Sequence, residues 1–339
     1  MSPGTADAGD EADWLCRLIE ANADALTAAR LGQAFGLGDA TFRLHAIDRN
    51  TIYRVSARFN WFLKLQRAGD VQLMNRERLG ADTIGHELGS RHDYGGARVI
   101  RVSTAPAFVL AATISGKPLN RALAIESWLP SSEAGARLEE SFATLGSLLA
   151  TLHANARLPP NAPEATKRPF ATLRTRLDRV TSRDAVVDAI AAWYDAHRQP
   201  DQGGAFIHGN MRLDNVLRDG ARIGFVDFEH CGSGQFYQDL ARPVTHLLQV
   251  RAVIAFPQGR ATRCLNAYLR EYRAIHPYDP QQLNRFVGAR LSRYYLETQK
   301  GGVLSTRIGG LPVARPKLSR MTIAVLQSGI ESVVPGLSL

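Results

Sequence analysis

At 339 residues, with 45% hydrophobic and 22% charged residues, the chain has a globular composition and ample material for a core. Its three cysteines, Cys16, Cys231 and Cys264, are odd in number and widely spaced. That argues against a disulfide framework or a zinc site and for a reducing compartment. The net charge of +9 is spread along the chain; with no recognised motif and no basic-aromatic stripe, a nucleic-acid partner is not expected.

No apolar run approaches the roughly 18–20 residues of a membrane span. The acidic, Ala/Gly-rich N-terminus lacks a signal-peptide pattern, so a cytoplasmic setting is expected. Residues 1–10 are expected to form a flexible tail. Trp14, Leu15, Leu18, Ile19 and Leu26 give a helical stripe over residues 11–31, which residues 32–38 break. Short alternating runs at 41–47, 51–57 and 60–65 predict an antiparallel meander. A helix at 73–88 and strands at 97–102 and 107–112 follow. Residues 113–119, with Gly116 and Pro118, interrupt the pattern. Ser132 is placed to cap a helix over 133–155, whose stripe is Leu138, Phe142, Leu145, Leu149 and Leu152. Helical segments are predicted at 170–180 and 185–197, then two more between 261 and 300, and a closing one near 318–333. The aromatic residues Tyr268, Tyr272, Phe286, Tyr294 and Tyr295 read as core packing.

The chemistry concentrates in residues 206–217, F-I-H-G-N-M-R-L-D-N-V-L, and 223–229, I-G-F-V-D-F-E. They read as a short strand, a polar loop, and a hairpin closed by Asp219-Gly220 that delivers Asp227 to the end of an apolar run. Loops of the form H-x-D-x-x-x-x-N followed by an aspartate serve phosphoryl transfer. In them the aspartate orients the attacking hydroxyl and receives its proton, while the asparagine and the later aspartate are hard-oxygen ligands for Mg²⁺. Here Asn215 and Asp227 hold the metal positions at the right spacing. The base position is Asn210, an amide that can hydrogen-bond a hydroxyl but accepts no proton at neutral pH. Upstream, Lys64 lies in the apolar run W-F-L-K-L and needs a partner if buried. Glu77, on the helix over 73–88, is the best candidate.

This segment resembles the aminoglycoside phosphotransferase and choline kinase family, whose loop usually runs H-G-D-x-x-x-x-N; the chain departs from it at Asn210. Lys64, Glu77, Gly116, Leu152-His153, the loop from His208 to Asn215, Asp227 and Asp239 follow in the family's order, from roughly residue 40 to 300. The resemblance implies an α+β, two-lobed protein-kinase-like fold. Its N-lobe, residues 11–112, would hold an antiparallel sheet plus a helix and contact the nucleotide phosphates. A hinge at 113–119 would lead to a larger, mainly helical C-lobe, residues 120–339, with the catalytic loop, metal and substrate sites.

The resemblance also implies ATP and Mg²⁺ as cofactors and a small-molecule hydroxyl acceptor. Lys64 would contact the phosphates and Glu77 would hold Lys64. Asn50 fits the polar position of the turn over 45–50, which lacks the usual glycine. Adenine would pair with the backbone near Ala111 and Thr113. His208 and Asn210 would be the catalytic-loop residues, Asn215 and Asp227 the metal ligands, and Asp239 a helix-capping residue that tethers the loop. Asp214 is expected to point away, His153 to be core packing, and Glu229, His230 and Cys231 form no metal motif. The implied function is an ATP-dependent phosphotransferase that is slow or silenced by Asn210. The alternative is a pseudokinase, a nucleotide-binding or scaffolding module that regulates a partner. Retention of both metal ligands favours the enzyme, because a dead site has no chemical need for them.

Overall fold

The computed structural model describes residues 5–29, 33–47, 50–66, 71–96, 100–112, 116–127, 129, 131–166, 168–181, 183–198, 203–252, 258–299, 307–308, 311–312, 315–337 and 339. The chain opens with helices α1 (Thr5–Ala21) and α2 (Ala23–Thr27). Strands β1 (Ala34–Leu37), β2 (Ala40–Ile47), β3 (Asn50–Ser56) and β4 (Asn60–Gln66) follow, then helix α3 (Val71–Leu88) and strands β5 (Ile100–Thr104) and β6 (Ala107–Ala112). The six strands form one antiparallel sheet in the order β1-β2-β3-β4-β6-β5.

Period-two alternation decides which face each side chain takes. Trp61, Leu63 and Leu65 of β4 are buried with Tyr53 and Val55 of β3, in a core that also takes Leu15 and Ile19 of α1. Lys64 and Phe62 therefore face the other way, into the cleft. Glu11 fastens α1 to the sheet: its Oε1 accepts from Phe59 N and Trp61 Nε1, both at 3.0 Å. α1 starts at Thr5, six residues before the expected start at Glu11. The alanines of this stretch are good helix formers and suit the earlier start. β1 was not foreseen; it is a four-residue edge strand with no buried side chain, turned by Gly38 at φ +54°.

The remainder is mainly helical, as the sequence resemblance implied. β7 (Lys117–Pro118), α4 (Leu119–Glu126), α5 (Ser132–Asn155), α6 (Pro169–Leu177) and α7 (Ala185–His197) lead to β8 (Ala205–Ile207), β9 (Val216–Asp219), β10 (Arg222–Phe225) and β11 (Gly232–Gly234). Helices α8 (Tyr237–Arg251), α9 (Gln258–Ile275), α10 (Pro280–Gln299) and α11 (Arg315–Ser328) complete it. All five expected stripe residues of α5 are fully buried, as are Tyr268, Tyr272, Phe286 and Tyr295. Ile84 and Leu88 of α3 belong to this second core, so α3 joins the sheet to the helical part. The cap of α5 is Ser131, not Ser132: its Oγ accepts from Ala134 N at 3.4 Å. α4, absent from the sequence reading, is pinned at its end by Arg260 Nη1 on the carbonyls of Glu126, Ser127 and Leu129. Among the described residues no helix is long and apolar enough to cross a membrane.

Candidate active site

The site lies where β4, α3 and the β8–β11 segment converge, in a cleft of about 1170 Å³ lined by Lys64, Glu77, Ala111, Asn215, Asp227 and Glu229 among others. β9 and β10 form the expected hairpin, but its turn is Gly220-Ala221. Gly220 takes the φ of +60°, and Asp219 still belongs to β9, opposite Arg222.

Asp239 organises the loop. The fully buried carboxylate accepts from His208 N at 2.6 Å and Gly209 N at 3.0 Å. Asp239 was expected to cap a helix; instead α8 begins at Tyr237 and no side chain caps it. Both oxygens of Asp239 are committed to the loop. His153 is packed against this carboxylate, with Nδ1 2.7 Å from the Tyr272 hydroxyl and Nε2 3.5 Å from Asp239. Gly209 sits at φ +73°, and a Cβ there would lie 2.2 Å from the His230 carbonyl oxygen. Only glycine lets the loop turn here.

His208, expected among the catalytic residues, is fully buried with both ring nitrogens engaged. Nε2 lies 3.1 Å from the Val226 carbonyl, to which it donates, and Nδ1 accepts from Asn210 N at 3.3 Å. Burial lowers its pKa and keeps the ring neutral. It positions the loop and has no nitrogen to offer a substrate.

Lys64, Glu77 and Asp227, far apart in sequence, meet in space. Lys64 Nζ lies 2.7 Å from Glu77 Oε1, 3.0 Å from Asp227 Oδ1 and 3.0 Å from Glu229 Oε2. Burial opposes its charge, yet Glu77, Asp227 and Glu229 together hold the ammonium above its usual range. The other oxygen of Glu77 accepts from Phe228 N at 3.1 Å, tying α3 to the residue after Asp227. Asp227 has φ +70°, a left-handed conformation that few non-glycine residues adopt. Its Oδ2 accepts from Asn210 Nδ2 at 3.0 Å and Asn215 Nδ2 at 3.2 Å, and Asn215 Nδ2 also reaches the Asn210 carbonyl at 3.0 Å. Asn210, Asn215 and Asp227 thus touch one another. Ala111 lines the same cleft. The side chain of Asn50 and the whole of Thr113 lie outside the described residues.

Glu229, in the run Glu229-His230-Cys231 that forms no His/Cys metal motif, joins the site through its carboxylate. Its position two residues after Asp227 was the available signal. Its Oε1 lies 3.1 Å from His230 Nε2, and this hydrogen bond, aided by Lys64 against the opposing effect of burial, holds its pKa at about 2. Cys231 plays no part: its thiol is buried against the Arg76 carbonyl at 2.8 Å, and burial pushes its pKa up. Asp214 is gripped by Arg212, with Nε–Oδ1 at 2.7 Å and Nη2–Oδ2 at 2.6 Å.

The donor set suits a hard divalent cation. Carboxylate oxygens of Glu77, Asp227 and Glu229 lie within 4.8 Å of one another around a single ammonium, so three negative charges face one positive. An all-oxygen, net-negative cluster with a neighbouring amide is what Mg²⁺ or Ca²⁺ takes, and it suits a softer metal poorly.

The model of the phosphotransferase enzyme family matches residues 96–283, just over half the chain and including the loop and Asp227. Lys64 and Glu77 lie outside that match, but the fold brings them to the loop. No curated protein matches the chain. Among solved structures it resembles the amicoumacin kinase hAmiN in complex with AMP-PNP, Ca²⁺ and Ami, at 15% identity and TM-score 0.52 over 90% of this chain and 93% of that one. It also resembles a choline/ethanolamine kinase family protein from Mesorhizobium loti, at 16% identity and TM-score 0.51 over 94% and 95%. A third is the wild-type aminoglycoside 2'-phosphotransferase-IIIa in its GDP complex, at 12% identity and TM-score 0.51 over 93% and 97%. At these identities the likeness establishes the fold.

Proposed function

The chain belongs to the phosphotransferase enzyme family, whose members are small-molecule kinases, and we propose that it moves the γ-phosphoryl group of Mg·ATP to a hydroxyl of a small molecule. The observation that carries this reading is Lys64 held at 2.7–3.0 Å from Glu77, Asp227 and Glu229, with Asn210 and Asn215 both on Asp227.

In this reading residues 11–112 contact the nucleotide phosphates, residues 113–119 are the hinge, and residues 120–339 carry the catalytic loop and the acceptor site. Lys64 presents its ammonium to the phosphates, and Glu77 fixes its direction. Asn215 and Asp227 offer the metal-holding oxygens, with Glu229 as an additional carboxylate. Mg·ATP, when bound, supplies the transferable phosphoryl group and a divalent charge across its oxygens. Asn210 hydrogen-bonds the acceptor hydroxyl and aligns it, but its amide cannot take the proton. His208 and Asp239 keep Asn210 in place. Phosphoryl transfer depends mostly on positioning and electrostatics, so the arrangement supports a slow kinase; general-base catalysis would add about 10²–10⁴-fold.

Thermal unfolding with and without Mg·ATP tests the reading. Binding to the folded state raises stability by about 2.7 kcal/mol at 100 times Kd, so a Mg²⁺-dependent rise in Tm is expected, and Asp227→Ala should abolish it. No shift at millimolar nucleotide would turn the assignment to the scaffold alternative. A shift that survives Asp227→Ala would remove Asp227 from the metal site.

A further inference from the structure

Arg242 stands out among the charged residues of the helical part. It lies one turn into α8, three residues beyond Asp239, and is only partly exposed. Among the described residues it makes no hydrogen bond and no ion pair. His246, the next turn along the same face, also lacks a hydrogen-bond partner among them. A largely enclosed guanidinium without a counter-charge is costly, and folded proteins pair such groups.

The neighbours of Arg242 make the imbalance larger. Arg212 on the catalytic loop has already engaged both oxygens of Asp214. On α10, Arg293 Nε lies 2.9 Å from Glu297 Oε1, and Arg176 of α6 shares that oxygen at 3.4 Å. Four arginines, Arg176, Arg212, Arg242 and Arg293, thus face two carboxylates, Asp214 and Glu297. Burial, reinforced by Arg212 and Arg293 and only partly offset by Asp214 and Glu297, pushes Arg242 down to about 10, still fully charged at neutral pH. Burial pushes His246 down to about 4, so its imidazole is neutral there and can donate a hydrogen bond. The cluster adjoins the reactive centre, because Asp214 lines the cleft beside Asn215 and Asp239 bolts the start of α8 to the loop.

We propose that Arg242, flanked by Arg212 and Arg293 and assisted by His246, binds an anionic group of the acceptor, a carboxylate or a phosphate, while the acceptor hydroxyl faces Asn210. The word acceptor rests on the phosphotransferase reading; the anion site itself does not. A surplus of positive charge at this point disfavours polycationic acceptors. A guanidinium matches either oxyanion through paired N–H groups.

The test is isothermal titration of the full chain with three probes: glycerate, glycerol 3-phosphate and ethanolamine. One of the two anions is expected to bind in the millimolar range or tighter, and which one binds distinguishes carboxylate from phosphate; ethanolamine is expected not to bind. Arg242→Gln should weaken the anion at least about tenfold, and Arg242→Lys by less, since a charge-assisted bond is lost in one and a point charge kept in the other. Arg242→Gln should leave the Tm without probes equal or higher, because it removes an unpaired enclosed charge. A lower Tm with unchanged anion binding would mark Arg242 as structural and overturn the proposal. So would an anion that binds equally well to Arg242→Gln, or ethanolamine binding in place of both anions. Should Arg242→Gln fail to fold, Arg212→Gln and Arg293→Gln, each already ion-paired, are expected to weaken anion binding in the same direction, with no gain in Tm. The Mg·ATP shift measured on the same samples separates the two claims. Nucleotide binding without anion binding refutes this subsite alone, and anion binding through Arg242 without nucleotide binding refutes the kinase reading alone.

Discussion

At the scale of single residues, Asn210 does what an aspartate could not do in the metal-free protein. Its Nδ2 donates to Asp227 Oδ2 at 3.0 Å, so the asparagine stabilises a carboxylate that already faces two others. Asn210→Asp would set like charges side by side. The variant should lose on the order of 1–3 kcal/mol without metal, regain it with Mg²⁺, and, given an acceptor that binds, turn over at least roughly tenfold faster. Denaturation with and without Mg²⁺ and a turnover assay check the three parts separately. His246 sets a pH limit. Its folded pKa of about 4 lies below the unfolded value of about 6.5, so the unfolded chain binds more protons between the two. Stability is therefore lost as pH falls from about 6.5 towards 4, by up to about 3 kcal/mol. Glu229, held at about 2, adds a further loss below about pH 4.5. Urea denaturation across this range should show the first slope flattened in His246→Gln and the second unchanged.

At the scale of elements, α3 and the loop after β10 fit against each other too closely for any added atom. A Cβ on Gly80 would lie 2.4 Å from the Phe228 Cβ, beside the Phe228 N–Glu77 hydrogen bond. Gly80→Ala should cost about 1–3 kcal/mol by overpacking and weaken Mg·ATP binding, because Phe228 carries Asp227 with it. Equal nucleotide affinity in the variant would show that α3 and Asp227 are not coupled. The elements legible beforehand were those with a strong period. The α5 stripe and strands β2–β4 and β6 stand within a residue or two of their expected places. β1 and α4 were missed for opposite reasons: β1 pairs through its backbone with no buried side chain, and α4 is set by distant Arg260. β1 leaves no local pattern to read, while α4 offers only the short i, i+3, i+4 set Leu119, Ala122 and Leu123.

At the scale of the whole molecule, two hydrophobic cores meet across the cleft, one under the sheet and α1, the other among the helices and the inner face of α3. The loop, Lys64, Glu77, Asn215 and Asp227 were legible because their spacing is dictated by chemistry. Arg242 and His246 were not, because their meaning is an absence: no hydrogen-bond partner among the described residues, which only three-dimensional packing displays. Glu229 falls between: it lies two residues beyond Asp227, but nothing in the local run of Glu229, His230 and Cys231 sets its carboxylate apart.

The Asp239 carboxylate has one more effect. It spans His208, Gly209 and the first turn of α8 at 2.6 and 3.0 Å, so Asn210 and Arg242 are mounted on one rigid bracket. Arg242 is three residues past the clamp, about 4.5 Å along the helix axis, and Asn210 is one residue past it on the loop. If Arg242 holds the acceptor's anion as proposed, the bracket would act as a caliper that selects, among molecules carrying that anion, by the span between their hydroxyl and their negative charge. A homologous series of ω-hydroxy acids should show a sharp optimum in length, and shortening the Asp239 side chain to alanine should blur that optimum before it abolishes binding.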